Sequence, residues 1–187
     1  MSIIDFMKLD EPALLSAVLA SFDRQRCVAA IHTVMLNAYE QKTNTMIDIC
    51  RRAGKSTAIA MFASALLVAR PGIRVQIISP DNRARDAIKD IVINAVCQHR
   101  ARITRSTKQR LTIQVPDQDK SHLFLSHDAT NDGCVADVTL VDEVQFHATQ
   151  QMAATLDVLR SVGLTTVIGV STSDALSNDI FGQPSML

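Results

Sequence analysis

Residues 50–57 read CRRAGKST, and Gly54, Lys55 and Ser56 match the last three positions of a phosphate-binding loop. The full pattern, G-x-x-x-x-G-K-[ST], wants a glycine five places before Gly54, where this chain has Ile49. Two arginines, Arg51 and Arg52, fill the middle of the loop. G-K-S alone turns up by chance in many sequences and can simply open a helix. Its setting strengthens it: the β-prone run TMIDIC (45–50) precedes it and an apolar helix (56–69) follows. There the backbone of Arg52, Ala53, Gly54, Lys55, Ser56 and Thr57 would turn N–H groups toward phosphates, helped by the helix dipole. Lys55 would reach the β- and γ-phosphates of ATP, and Ser56 Oγ would ligate Mg²⁺.

A second candidate is TLVDEVQF (139–146), an apolar run ending in two carboxylates. By itself an Asp-Glu pair after a strand is commonly a solvated turn. Opposite a phosphate loop, Asp142 would hold Mg²⁺ through its water shell, and Glu143 would orient and activate the attacking water. Phosphoryl transfer asks for positioning and charge neutralisation, so one lysine, one metal and one water-directing carboxylate suffice.

These residues need elements to position them. Helical spacing covers 11–22 and 24–40. PGIRVQIIS (71–79) is a turn and strand, and 79–96 a capped helix. LTIQV (111–115) and HLFLS (122–126) flank PDQDK as a hairpin. ADVTLV (136–141) is a buried strand, 149–162 a helix and TTVIGVS (165–171) a further strand. Strands alternating with helices predict an α/β fold, a mostly parallel sheet with helices on both faces, here of the P-loop NTPase (RecA-like) kind. The chain divides into an N-terminal helical segment, 1–40, and an ATPase core, 41–187.

The 187 residues suffice for one domain with a substantial core. Lys+Arg and Asp+Glu are both 19, so the whole-chain charge argues neither for nor against nucleic acid. Cys27, Cys50, Cys97 and Cys134 have no C-x-x-C spacing, which predicts reduced thiols in an intracellular protein. No basic start with a long apolar run marks a signal peptide, and the apolar run 58–69 is too short for a bilayer.

Taken together, the motifs resemble the ATPase domain of the large terminase subunit of tailed phages and herpesviruses, the motor that packages viral DNA. That family often replaces the first loop glycine and carries R-R-x-G-K-[ST]; here Arg51-Arg52-Ala53-Gly54-Lys55-Ser56 matches. Its acidic motif commonly runs D-E-A-x-F; here it is Asp142-Glu143-Val144-Gln145-Phe146. A later strand ends in a small hydroxyl-rich coupling motif, matched by Ser171-Thr172-Ser173. An upstream aromatic and glutamine that contact adenine are matched by Phe22 and Gln25. The resemblance spans about residues 22–175. It implies ATP hydrolysis with Mg²⁺, with Arg51 acting on the γ-phosphate in cis; a surface arginine paired with an acid is the alternative. It also implies double-stranded DNA, a portal and a small terminase subunit as partners, and assembly as a homo-oligomeric ring. The setting would be the host nucleus for a herpesvirus-like protein and the bacterial cytoplasm for a phage one. The arginine-glycine that many relatives carry before the acidic strand is absent from NDGCVAD (131–137). The family's nuclease domain would follow this chain, so nuclease activity is not expected from it.

Two other readings share the motifs. One is a superfamily 2-type helicase or other RecA-like translocase, which needs a second such domain. The other is a non-hydrolysing nucleotide sensor, which would lack Glu143. The basic run HRARITRSTKQR (99–110) could touch DNA phosphates or be a solvated helix end and loop.

Overall fold

The computed structural model describes residues 11–22, 26–49, 52–99, 101–126, 136–144, 165–172 and 185–186. Among them are four helices: α1 (Glu11–Phe22), α2 (Arg26–Glu40), α3 (Lys55–Ala69) and α4 (Asn82–Gln98). The strands are β1 (Thr45–Ile49), β2 (Arg74–Ile78), β3 (Arg102–Ser106), β4 (Arg110–Gln114), β5 (Ser121–Ser126), β6 (Val138–Asp142), β7 (Thr166–Thr172) and β8 (Ser185–Met186). They form one sheet in the order β3-β4-β5-β2-β6-β7-β1-β8. From β5 to β8 every pairing is parallel, while β3–β4 and β4–β5 are antiparallel.

Alternation along the strands explains how the helices attach. Ile47, Val75, Ile77, Leu111, Ile113, Leu123, Leu125, Val138, Leu140, Ile168 and Val170 are alternate residues and share one sheet face by register. All of them join a single buried cluster with apolar side chains of α1, α2, α3 and α4. On the opposite face Ile78, Val141 and Val167 are buried too. The central strands β6 and β7 are buried along their whole length, as expected for a parallel sheet with both faces covered.

Helix α3 is apolar all round and lies at the centre of this cluster, with Phe62 fully buried. Ser64 is tolerated inside because its hydroxyl donates to Ala60 O at 2.7 Å. His32 of α2 ties that helix to α3 by donating from Nε2 to Ala58 O at 2.9 Å.

Two expectations need correction. The helix expected over 79–96 begins at Asn82, because Pro80 biases Ser79 toward extended backbone and Asp81 is the N-cap, accepting from Ala84 N at 2.8 Å. The basic run 99–110 is neither helix end nor loop over most of its length. It holds edge strand β3 and the turn into β4, with a bulge between Ile103 and Arg105. Only Ile103 and Thr104 offered a β signal there, and four of the five β3 residues are exposed. The short strand β8 was not foreseen either. The helix expected over 149–162 lies outside the described residues.

Candidate active site

β1 delivers the chain to the loop, and α3 carries it away. Cys50 and Arg51 lie outside the described residues. Arg52 is exposed with φ 66°, and Gly54 follows at φ 84° as the N-cap of α3. Two left-handed residues so close together curl the loop back over the helix start, and glycine takes that conformation without penalty. Ala58 N donates to Gly54 O at 2.8 Å, closing the first turn. No side chain caps α3, so its leading N–H groups are not spent on a cap. Ala53 and Lys55 are buried, while Ser56 and Thr57 are half-buried.

Strand order decides what meets this loop. β7 lies between β1 and β6, so its C-terminal end falls between the loop and the carboxylates. Asn44 fixes β1 against β7, its Oδ1 accepting from Val167 N at 2.9 Å. Ser56 Oγ donates to Asp142 Oδ2 at 2.6 Å. Lys55 Nζ lies 3.5 Å from Glu143 Oε1. Thr172 Oγ1 donates to the other oxygen, Oε2, at 3.0 Å. Three motifs remote in sequence thus converge at the C-terminal ends of parallel strands, where open α/β sheets place their ligands. Glu143 sits at φ 52°, a conformation unusual outside glycine that costs on the order of 1 kcal/mol or more.

Asp142 is 1% exposed. Burial, assisted by the neighbouring Glu143 charge, raises its pKa from 3.8 to about 6, against the opposing pull of the Ser56 hydrogen bond and Lys55. Its Oδ1 is buried with no hydrogen-bond partner. An orphaned carboxylate oxygen beside a serine hydroxyl fits a hard divalent cation. Mg²⁺ in particular takes one or two protein oxygens and fills its shell with water and phosphate oxygens.

Ser171 is buried beside Thr172, and its hydroxyl donates to Thr172 O at 3.4 Å. Gln25, Arg51 and Ser173 lie outside the described residues, as does the side chain of Phe22. Sequence reading missed Asn44, which gives no motif signal. It also missed Asp48, the lone carboxylate of β1, whose Oδ1 is buried with no hydrogen-bond partner. No helix among the described residues is long and apolar enough to cross a membrane.

The sheet order, the loop between β1 and α3, and the acidic end of β6 together define a P-loop ATPase fold. The family model for the helicase domain of the RNA cytidine acetyltransferase NAT10/TcmA matches residues 46–173, and the chain belongs to that family. No curated protein matches it in sequence. Among solved structures it resembles the large terminase ATPase domain of Thermus phage P74-26, with 21% identity over 68% of this chain and 59% of that one, TM-score 0.52. It also resembles an ADP-bound large terminase from a thermophilic bacteriophage, with 13% identity over 84% of this chain and 38% of that one, TM-score 0.58. The large terminase of bacteriophage HK97 shares 17% identity over 81% of this chain and 34% of that one, TM-score 0.59. At these identities the likeness is one of fold, and the chain spans less than two thirds of each of those chains.

Proposed function

We propose that this chain is the ATPase motor domain of a terminase-type machine, hydrolysing ATP to drive double-stranded DNA into a procapsid. The observation that carries the proposal is the convergence on Glu143 of Lys55 from the loop and Thr172 from the β7 end, beside the Ser56–Asp142 pair. Lys55 would leave Glu143 for the β- and γ-phosphates when nucleotide enters, since phosphate oxygens offer the ammonium a denser negative charge. Glu143, released on one side and still held by Thr172, takes the proton of the attacking water. The backbone of Arg52, Ala53, Gly54, Lys55, Ser56 and Thr57 cradles the phosphates, and Gln25 is assigned to contact adenine. Arg51 neutralises charge developing on the γ-phosphate. Ser56 and Asp142 would hold Mg²⁺, which when bound neutralises phosphate charge. Ser171, Thr172 and Ser173 couple the γ-phosphate state to movement. Residues 1–40 serve the adenine side and 41–187 form the ATPase core. Duplex DNA contacted without regard to sequence, a portal, a small terminase subunit and a homo-oligomeric ring complete the assembly, inside the host cell.

Lys55→Ala and Glu143→Gln test the assignment together. Lys55→Ala is expected to lose nucleotide binding and to cut turnover by several orders of magnitude. Glu143→Gln is expected to bind ATP normally yet hydrolyse it at least ~100-fold more slowly, because the amide cannot accept the proton. Near-normal turnover in either folded variant rules out its role.

A second reading is a helicase-type translocase, the kind of domain that the matching family model describes. It shares the same ATP chemistry and differs in its action on nucleic acid. Separation of a labelled strand from a partial duplex would favour it, whereas movement along intact duplex favours the packaging motor.

A further inference from the structure

Strands β3, β4 and β5 have the sequences RITRS, RLTIQ and SHLFLS, without a single Asp or Glu. Their core face is apolar and belongs to the cluster already described. The opposite face is different. Arg105 pairs with Thr112, Thr112 with His122, and His122 with Arg74 of β2, so two arginines end a row that crosses four strands. At ~4.8 Å between strands they stand roughly 14 Å apart. Arg102 shares that face through its pairing with Gln114, and Arg110 through its pairing with Phe124. Arg102, Arg105, Lys108 and Lys120 are exposed.

The face is held in a fixed shape. The Arg110 guanidinium lies over the Phe124 ring at 5.1 Å, with Nη2 3.3 Å from His122 Nδ1, and its Nε is buried with no partner. Burial and the charges of Arg110, Arg74 and Lys120 lower the His122 pKa, which favours the neutral ring whose Nδ1 can accept. Lys89 Nζ donates to Thr107 O at 2.6 Å, tying the β3–β4 turn to α4. Asp137 is an acid that meets this face, 3.4 Å from Arg74.

Charges on an edge strand commonly serve to discourage strand addition. That role explains Arg102 and Arg105 on β3. It does not explain Arg110 on β4 or Arg74 on β2, which are interior strands.

We propose that this face is a docking surface for the phosphate backbone of duplex DNA. The inference rests on the motor function proposed above. Duplex is favoured over single strands because Arg110 already covers the aromatic ring that could stack an unpaired base. Contacts from arginine and lysine to phosphates carry no base information, which suits a machine that must move along any sequence. The platform and the ATP site share one sheet: the Arg74–His122 pair lies at the start of β2 and β5, and Asp142 ends β6, the neighbour of β2.

The test is a variant with Arg102→Glu, Arg105→Glu and Lys108→Glu, three exposed positions outside the ATP site. Binding to a fluorescent duplex is measured by anisotropy across a salt series, with a single strand of equal length alongside. Duplex affinity is expected to fall at least ~10-fold at low salt, and the slope of log K against log [salt] to flatten by ~0.9 for each phosphate no longer neutralised. The melting temperature and the DNA-free ATPase rate should match the parent. Arg102→Lys with Arg105→Lys should retain binding. Unchanged duplex affinity in the Glu variant, a loss confined to the single strand, or no duplex binding by the parent overturns the proposal. A parent with Lys55-dependent turnover and an unaffected Glu variant sinks this inference alone. Loss of duplex binding in the Glu variant without Lys55-dependent turnover in the parent leaves the surface standing and sinks the motor function.

Discussion

At Glu143 two neighbours divide the carboxylate: Lys55 faces Oε1 at 3.5 Å and Thr172 donates to Oε2 at 3.0 Å. In the proposed mechanism only the first lets go when phosphates arrive, which leaves Thr172 to aim Glu143 as the base. Thr172→Val keeps the β-branched shape and removes the hydroxyl. A hydrogen bond to a charged group contributes about 1.5–3 kcal/mol, so kcat should fall roughly 10- to 100-fold while nucleotide affinity stays near normal. Thr172→Ser should recover most of the rate. A rise in KM with unchanged kcat would make Thr172 a ground-state contact instead. Asp142 yields a prediction about stability. A carboxyl whose folded pKa lies above its unfolded one binds its proton more tightly in the fold. The resulting penalty is absent below the ordinary value of 3.8, grows with pH, and is complete above about 6. At two units it amounts to about 3 kcal/mol at most. Without nucleotide, Asp142→Asn should therefore melt higher than the parent at pH 8, by several degrees, with the gain shrinking toward pH 4. Thermal melts across that range decide it; a gain independent of pH would mean the carboxylate is not the source. The same variant should weaken Mg²⁺-dependent nucleotide binding.

At the scale of elements, the loop depends on its backbone as much as on its side chains. Gly54 at φ 84° sets the entry to α3. Gly54→Ala should cost about 1–2 kcal/mol of stability through left-handed strain. It should also weaken nucleotide binding, because relief of the strain turns the N–H groups away from the phosphates. A variant that melts lower yet binds nucleotide as tightly as the parent would separate fold from site at this residue. The sequence made much of this region legible. Period-2 and period-3.6 patterns located β1, α3, β2, β4, β5, β6 and β7 because each has a strongly apolar face or core. They failed at β3, where Ile103 is the one apolar residue and the alternation is swamped by arginines. They also set the start of α4 too early, because Ser79 competes with Asp81 as a cap in sequence while Pro80 decides between them in three dimensions. For the site, residue types and spacing named Lys55, Ser56, Asp142 and Glu143, and the family resemblance added Thr172. What they could not give was the strand order that slots β7 between β1 and β6, which long-range pairing alone determines. Asn44, which fixes that neighbour relation through one side-chain oxygen, leaves no trace in any local pattern.

For the molecule as a whole, the described residues of the proposed ATP site meet within one chain: Lys55, Ser56, Asp142, Glu143 and Thr172 reach one another without help. Binding and basal turnover should therefore need no partner. The motor proposal adds that neighbouring subunits in a ring, and the duplex they enclose, raise that turnover. Two measurements separate a lone enzyme from a subunit. Turnover per chain should climb with protein concentration, and further when duplex DNA is added. An equal mixture of parent and Lys55→Ala protein should give less than half the parent's activity, because each inactive subunit silences active neighbours as well as itself. Mixing is the sharper of the two, since it holds total protein constant and so cancels any nonspecific effect of crowding or DNA. Activity per parent chain that is flat with concentration, together with a mixture at half activity, would show that each chain works alone. The ring would then have to be given up, although the ATP chemistry at Glu143 would survive.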